Sequence, residues 1–200
     1  MLIAIPATLH LREERKIPET FRSCVKVFSG REDGCGVILD ASPEEIIVVT
    51  AFHVAKGWNG DSRVQFHDGK RAFGQIFGGD EALDICFIGI PAEAGEDLSR
   101  YRAAAVGQLP PEPFPVYLYD PSGIRGEQRI DGEVLALKEY LYEFDRKMLF
   151  GRASVKEGMS GSAIFTDEGI LAGILLAGNG EGILAGACTD DILKCYGGPF

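Results

Sequence analysis

The sequence predicts an all-β chain in two halves of similar size. Three observations carry this. Short runs rich in Val, Ile and Phe recur along the chain, broken by Gly, Asp and Asn, the pattern of strands joined by tight turns. No helical segments alternate with them, so neighbouring strands are expected to pair antiparallel, as barrels or sandwiches. Residues 91–112, "PAEAGEDLSRYRAAAVGQLPPE", are polar, Ala-rich and closed by prolines; they read as a linker with some helix, between about six strands and about six more.

The elements follow in order. Residues 1–23 are expected to form an N-terminal arm; "MLIAIPATLHLREERK" has no basic lead and too short an apolar stretch for a signal peptide. The first half spans residues 24–105. It opens with "CVKVFSG" and "GCGVILD", turns at "PEE" (43–45), and continues as "EIIVVTAFHVA", where "HVAKG" reads as a single helical turn stopped by Gly57. "SRVQFHDG", "RAFGQIFGG" and "LDICFIGI" complete it. The second half, residues 106–200, runs through "FPVYLYDP", "RIDGEVLALKEYLYEFD", "MLFGRAS", "GSAIFTD", "GILAGILLAG" and "GILAGACT". "DDILKCY" before a glycine pair reads as a C-terminal helix with acidic residues in its first turn. Two halves of this size fit two small barrels, and no internal sequence repeat relates them.

Composition narrows the function. The chain has 200 residues, 46% of them hydrophobic, which is enough for one large domain or two small ones. Its net charge of −10 argues against unaided binding to nucleic acid or to an anionic membrane, both of which attract positive patches. No segment approaches the roughly 20 apolar residues of a membrane span. Five cysteines (24, 35, 86, 188 and 195) are odd in number and without zinc-ligand spacing; they read as free thiols in a reducing compartment, so a cytoplasmic location is expected. No P-loop occurs, and "GGDEALD" has too few ligands for a calcium loop, so no metal and no cofactor are expected.

The stretch "EGMSGSAIF", from Glu157 to Phe165, sets Ser160 between glycines ahead of an apolar strand. Such a turn either links two strands or holds a nucleophile. A serine nucleophile needs a base, an orienting acid and donors for an oxyanion. Of three histidines, His10 lies in the arm and His67 in the "FHDGK" turn, where it reads as solvated. His53 follows a buried-looking strand and sits at its exposed end. Asp84 immediately precedes the apolar run Ile85–Ile90, where an ionised carboxylate needs a partner such as an imidazole N–H. Asp80, beside two glycines, suits a turn cap. Glycine at 158 tolerates conformations that side chains resist, and the N–H groups of Gly158 and Ser160 can form a two-donor site. His53 and Asp84 fall in the first half and Ser160 in the second, so the three would meet at a junction where clefts form.

These segments resemble the chymotrypsin-fold serine proteases. "GCGVILD…IIVVTAFHVA" is similar to their "GSGVI…ILTAAHV" segment, "ALDICFIGI" to "DIALL", and "EGMSGSAIFTDEGILAGILLAG" to "GDSGGPL…GVLVGI". The similarity covers about residues 24–195. Spacings of 31 residues from His53 to Asp84 and 76 on to Ser160 look more like bacterial HtrA-type and other prokaryotic or viral trypsin-like peptidases. The resemblance implies two six-stranded antiparallel β-barrels and peptide-bond hydrolysis through an acyl-enzyme. It implies His53 as general base, Asp84 as its orienting acid, Ser160 as nucleophile, and Gly158 with Ser160 as the oxyanion hole. A polypeptide substrate is implied.

Departures from the family pattern matter. Met159 stands where digestive members carry the aspartate that pairs with a newly cut N-terminus, so activation by N-terminal insertion is not expected. Val54 replaces a disulfide cysteine, and Ser162 replaces a glycine of the serine motif. By the same resemblance Ser154 falls at the base of the primary specificity pocket, with Leu176 and Gly178 in the opposite wall. No acid lies there, so a neutral pocket for a medium or large uncharged side chain is expected. No PDZ-like stretch follows these motifs, and a separate regulatory protein partner is one route to controlling the activity. The alternative is a latent or inactive protease-like binding module.

Overall fold

In the computed structural model, the described residues are 18–30, 33–56, 61–92, 98, 100–120, 129–179 and 181–197. Val25 and Val27 are buried at alternate positions of β1 (Cys24–Phe28), the period-2 signature of a half-buried strand. β2 (Asp33–Ala41), β3 (Glu45–Ala51), β4 (Asp61–Gln65), β5 (Arg71–Asp80) and β6 (Ile85–Pro91) complete a closed antiparallel barrel in the order β1-β2-β3-β6-β5-β4. β7 (Phe114–Tyr119), β8 (Arg129–Leu141), β9 (Arg146–Ala153), β10 (Ala163–Thr166), β11 (Leu171–Gly178) and β12 (Ile183–Cys188) close a second. Read around the ring from β7, its order is β7-β8-β9-β12-β11-β10, the same as the first. The halves therefore share a topology that no sequence repeat announces. Closure leaves neither sheet an open edge.

β3 and β6 are buried along almost their whole lengths, as runs of Ile and Val without polar alternation require. Their inner faces fill the first barrel. Their outer faces belong to a core that continues through Tyr117, Phe165, Ile174 and Leu176 of the second. The interior of the second barrel is a separate cluster around Leu118, Leu149, Met159 and Leu184. Each such fully buried side chain contributes roughly 1.5–3 kcal/mol relative to leaving it exposed.

Two flanking pieces cross between the barrels. A short 3-10 turn, Thr20–Ser23, precedes β1, but its Thr20 hydroxyl meets Tyr119 Oη at 2.8 Å and accepts from Tyr117 Oη at 3.1 Å, both on β7. The C-terminal helix α2 (Thr189–Tyr196) follows the second barrel but lays Tyr196 against Phe87 of β6, ring centroids 5.3 Å apart. α2 forms where expected, with Asp190 and Asp191 in its first turn and Gly197 at φ +65° ending it.

Three expectations need correction. The connection between the barrels contains no helix among its described residues; it is strapped down instead. Ala104 N–H donates to Ile38 O (2.8 Å), Ala105 O accepts from Leu171 N–H (2.8 Å), and Tyr101 stacks on Phe66. "RIDGEVLALKEYLYEFD" is not one strand: β8 stops at Leu141, and Tyr142–Asp145 make a tight turn with Asp145 at φ +50°. His67 is half-buried rather than solvated, because Tyr101 covers it edge-on; desolvation lowers its pKa. The helical turn α1 spans Phe52–Ala55, while Gly57, read as its stop, and His10 lie outside the described residues.

Candidate active site

β3 delivers the chain to Ala51, still extended, and α1 begins at once with Phe52 and His53. The imidazole therefore stands at the end of a buried strand with its ring partly in solvent. The approach to β6 supplies its partner. Asp80 Oδ1 accepts the N–H of Leu83 (3.0 Å) and Glu81 O that of Asp84 (3.2 Å), which tightens the turn and leaves Asp84 at φ +58°. A left-handed aspartate costs on the order of 1–3 kcal/mol and persists only where its surroundings fix it. Here three bonds do so. Asp84 O accepts Phe52 N–H (3.0 Å), Oδ1 accepts the backbone N–H of His53 (2.8 Å), and Oδ2 meets His53 Nδ1 at 2.7 Å. Because an ionised carboxylate only accepts, Nδ1 carries the ring proton, and the neutral imidazole keeps its lone pair on Nε2.

Ser160 reaches this place from the second barrel. Its carbonyl accepts Cys35 N–H of β2 at 2.7 Å, and the next amide, Gly161, donates to Leu175 O of β11 at 2.7 Å. Gly161 sits at φ +85°, and a Cβ there would lie 2.0 Å from Cys35 O and 2.6 Å from Thr50 Oγ1. Thr50 is on β3, three residues before His53. Gly34 marks the same closeness from the other side: a Cβ on it would lie 2.7 Å from Val54 Cγ2 and 2.8 Å from Ser160 O. The serine turn thus rests on the β2–β3 ladder at the end that carries the histidine.

Gly158 is at φ +83° with nothing within 4 Å of where a Cβ would stand. Among the described residues, no backbone carbonyl takes up the amide of Gly158 or of Ser160. Two amides flanking a buried Met159 are thus left for a ligand oxygen. Of the residues expected to bind substrate, Leu176 is buried and Gly178 lies at the exposed end of β11. Ser154 is exposed; its neighbour Val155 is the residue packed on Gly178, where a Cβ would come 2.1 Å from Val155 Cγ2. Beside Ala177 and Gly178, a cavity of about 390 Å³ opens on the outer face of the second barrel, walled by Tyr140, Phe144, Phe150 and Ile183.

Sequence reasoning passed over Gly34 and Val155, and read Cys35 as a free thiol without placing it at the serine turn. Gly34 and Cys35 had a signal in the "GCG" of β2, which puts glycine on both sides of the residue that meets the serine turn. Val155 had none, since its role depends on where β11 ends. All five cysteines are free thiols. Among the described residues no cluster of three or more His, Cys, Asp or Glu could hold a metal, and no helix is long and apolar enough to cross a membrane.

A sequence profile described as trypsin-like peptidase domain matches residues 34–174. No curated protein matches the chain. Among solved structures, the fold is similar to that of Rv3671c from M. tuberculosis H37Rv, crystallised as a serine-to-alanine mutant in an inactive form. The match has a TM-score of 0.68 and 17% identity over 91% of this chain and 90% of that one.

Proposed function

Because the chain belongs to the trypsin-like peptidase domain family, we propose that it is a serine endopeptidase that hydrolyses peptide bonds through an acyl-enzyme on Ser160. The observation that carries this reading is the two-point grip of Asp84 on His53, set against the strand end where the Ser160 turn rests. His53 Nε2 takes the hydroxyl proton as Ser160 Oγ attacks the substrate carbonyl carbon. The amides of Gly158 and Ser160 bind the resulting oxyanion, each such donor contributing roughly 3 kcal/mol. Imidazolium then returns its proton to the leaving amine, and water, activated by the same ring, releases the acid. Asp84 holds the tautomer and stabilises the imidazolium throughout.

The substrate is a polypeptide lying along β11, with Leu176 and Gly178 beside the scissile residue and Ser154 at the rim. Val155 against Gly178 narrows this place and favours a small uncharged side chain over the medium or large one that the resemblance implied. The aromatic-walled cavity beyond Ala177 takes an apolar side chain farther upstream. Five free thiols fit a cytoplasmic location.

Labelling with a fluorophosphonate, wild type against Ser160→Ala, tests the proposal by intact mass. One added probe mass on the wild type, absent from the variant, is expected. A folded wild type that takes no label would overturn it in favour of a latent or binding protein.

A further inference from the structure

Residues 156–161 carry both candidate oxyanion amides, and this short turn is tied down along its length. Its first residue, Lys156, places Nζ 2.5 Å from Asp120 Oδ2. Asp120 lies just past the end of β7 and is only 6% exposed, so its carboxylate requires a charged or donating partner. Lys156 O accepts the amide of Met159 (3.3 Å), whose side chain is fully buried in the second-barrel core. Cys35 Sγ reaches Gly158 O at 3.6 Å while Cys35 N–H holds Ser160 O.

These ties converge beneath the turn. The Asp120 carboxylate is close enough to the buried Cys35 thiol to help push its pKa up, behind the larger effect of burial. The buried Ser162 hydroxyl faces the same thiol and acts on it in the opposite sense. The underside of the turn is therefore a small polar cluster of Asp120, Lys156, Cys35 and Ser162, set between β2 and β7. An ion pair, Lys156 with Asp120, joins the turn's first residue to the second barrel.

We propose that Lys156 is a positioning residue, whose ion pair with Asp120 anchors the 156–161 turn and so keeps the Gly158 and Ser160 amides in their working places. The anchor belongs to the folded chain as it stands and needs no newly cut N-terminus. Its consequence for activity rests on the peptidase reading of Ser160; its consequence for the turn's conformation does not.

The test uses the full chain with Lys156→Met, Lys156→Arg and the double variant Lys156→Met with Asp120→Asn, which removes both charges of the pair. Two quantities are read: the second-order rate of fluorophosphonate labelling, and hydrogen exchange at the Gly161 and Ser162 amides. Lys156→Met is expected to label about tenfold more slowly or worse. Exchange at the two amides should quicken while β11 and β12 stay protected. Lys156→Arg should recover most of the rate, because a guanidinium can span the same pair. If Lys156→Met does not fold, the double variant is expected to fold and show the same slow labelling. Wild-type rates and exchange in the folded variants would overturn the proposal. A wild type that takes no label, with exchange still quickened by Lys156→Met, would overturn the peptidase reading and leave the anchor standing.

Discussion

Asp84 holds His53 at two points with one carboxylate: Oδ1 takes the backbone N–H at 2.8 Å and Oδ2 the ring Nδ1–H at 2.7 Å. The first bond fixes where the histidine starts its helical turn, and the second fixes how its ring faces. A single rotamer of one aspartate thus sets position and tautomer together. Asp84 makes both contacts from a left-handed backbone, φ +58°, at the turn that leads into β6.

Asp84→Asn separates the two functions. Asparagine tolerates the left-handed backbone, and its Oδ1 still accepts the His53 N–H, so the fold should survive. Its amide NH2 then faces Nδ1 and drives the ring proton to Nε2, where it blocks the serine. We expect kcat on a peptide substrate to fall by roughly 10³–10⁴ with an unchanged circular dichroism spectrum. A loss smaller than tenfold would contradict the assigned role.

Gly158 and Gly161 share a left-handed φ but not an environment. Gly161→Ala must displace Cys35 O, 2.0 Å from the new Cβ, and should cost about 3 kcal/mol or more in denaturant unfolding. Gly158→Ala meets nothing within 4 Å and should cost only the left-handed strain, about 1–2 kcal/mol. Its labelling rate should nonetheless drop, since that strain is relieved by turning the amide. Equal destabilisation by the two variants would show that the contact with Cys35 is not what fixes Gly161.

Ala177→Trp should obstruct the cavity of about 390 Å³ without touching the nucleophile. Fluorophosphonate labelling is expected to be unchanged. Peptides with large apolar residues upstream of the cleaved bond should lose roughly tenfold or more in kcat/KM, while those with small residues keep it. A uniform loss across a peptide library would remove the cavity from substrate recognition.

Alkaline pH should loosen the fold. Burial pushes the Cys35 and Cys86 thiols from 9.0 to about 11. The folded state therefore favours the neutral thiol. That contribution is whole below about pH 9 and is lost as pH rises through about 11. The melting temperature should hold to about pH 9 and then fall, and Cys86→Ala should shrink the fall. A melting temperature unchanged to pH 11 would be inconsistent with these buried thiols. Cys35 should also resist iodoacetamide in the native protein at neutral pH, since the thiolate is the reactive form.

Much of this was legible in the sequence. β3 and β6 announce themselves as unbroken Ile and Val runs, and His53, Asp84 and Ser160 each sit at the end of a strand or in a glycine turn beside one. The remainder depends on distances that no local pattern encodes. The Gly34 contact with both Val54 and Ser160 arises only once the second barrel docks on β2. Asp145, left-handed in the β8–β9 turn, ends a run whose composition still favours a strand. The Lys156–Asp120 pair joins residues 36 positions apart whose charges look like ordinary surface when read singly.

The crossing of the flanking pieces sets an order of events during synthesis. All six strands of the first barrel, with His53 and Asp84 on them, are made before residue 92. Phe87 on its outer face lacks one of its packing partners until Tyr196 of α2 arrives, ring centroids 5.3 Å apart. Ser160 comes from the later barrel as well. A growing or truncated chain that stops short of α2 thus carries the His53–Asp84 pair on a barrel whose strands are all made but whose Phe87 still lacks its Tyr196 neighbour.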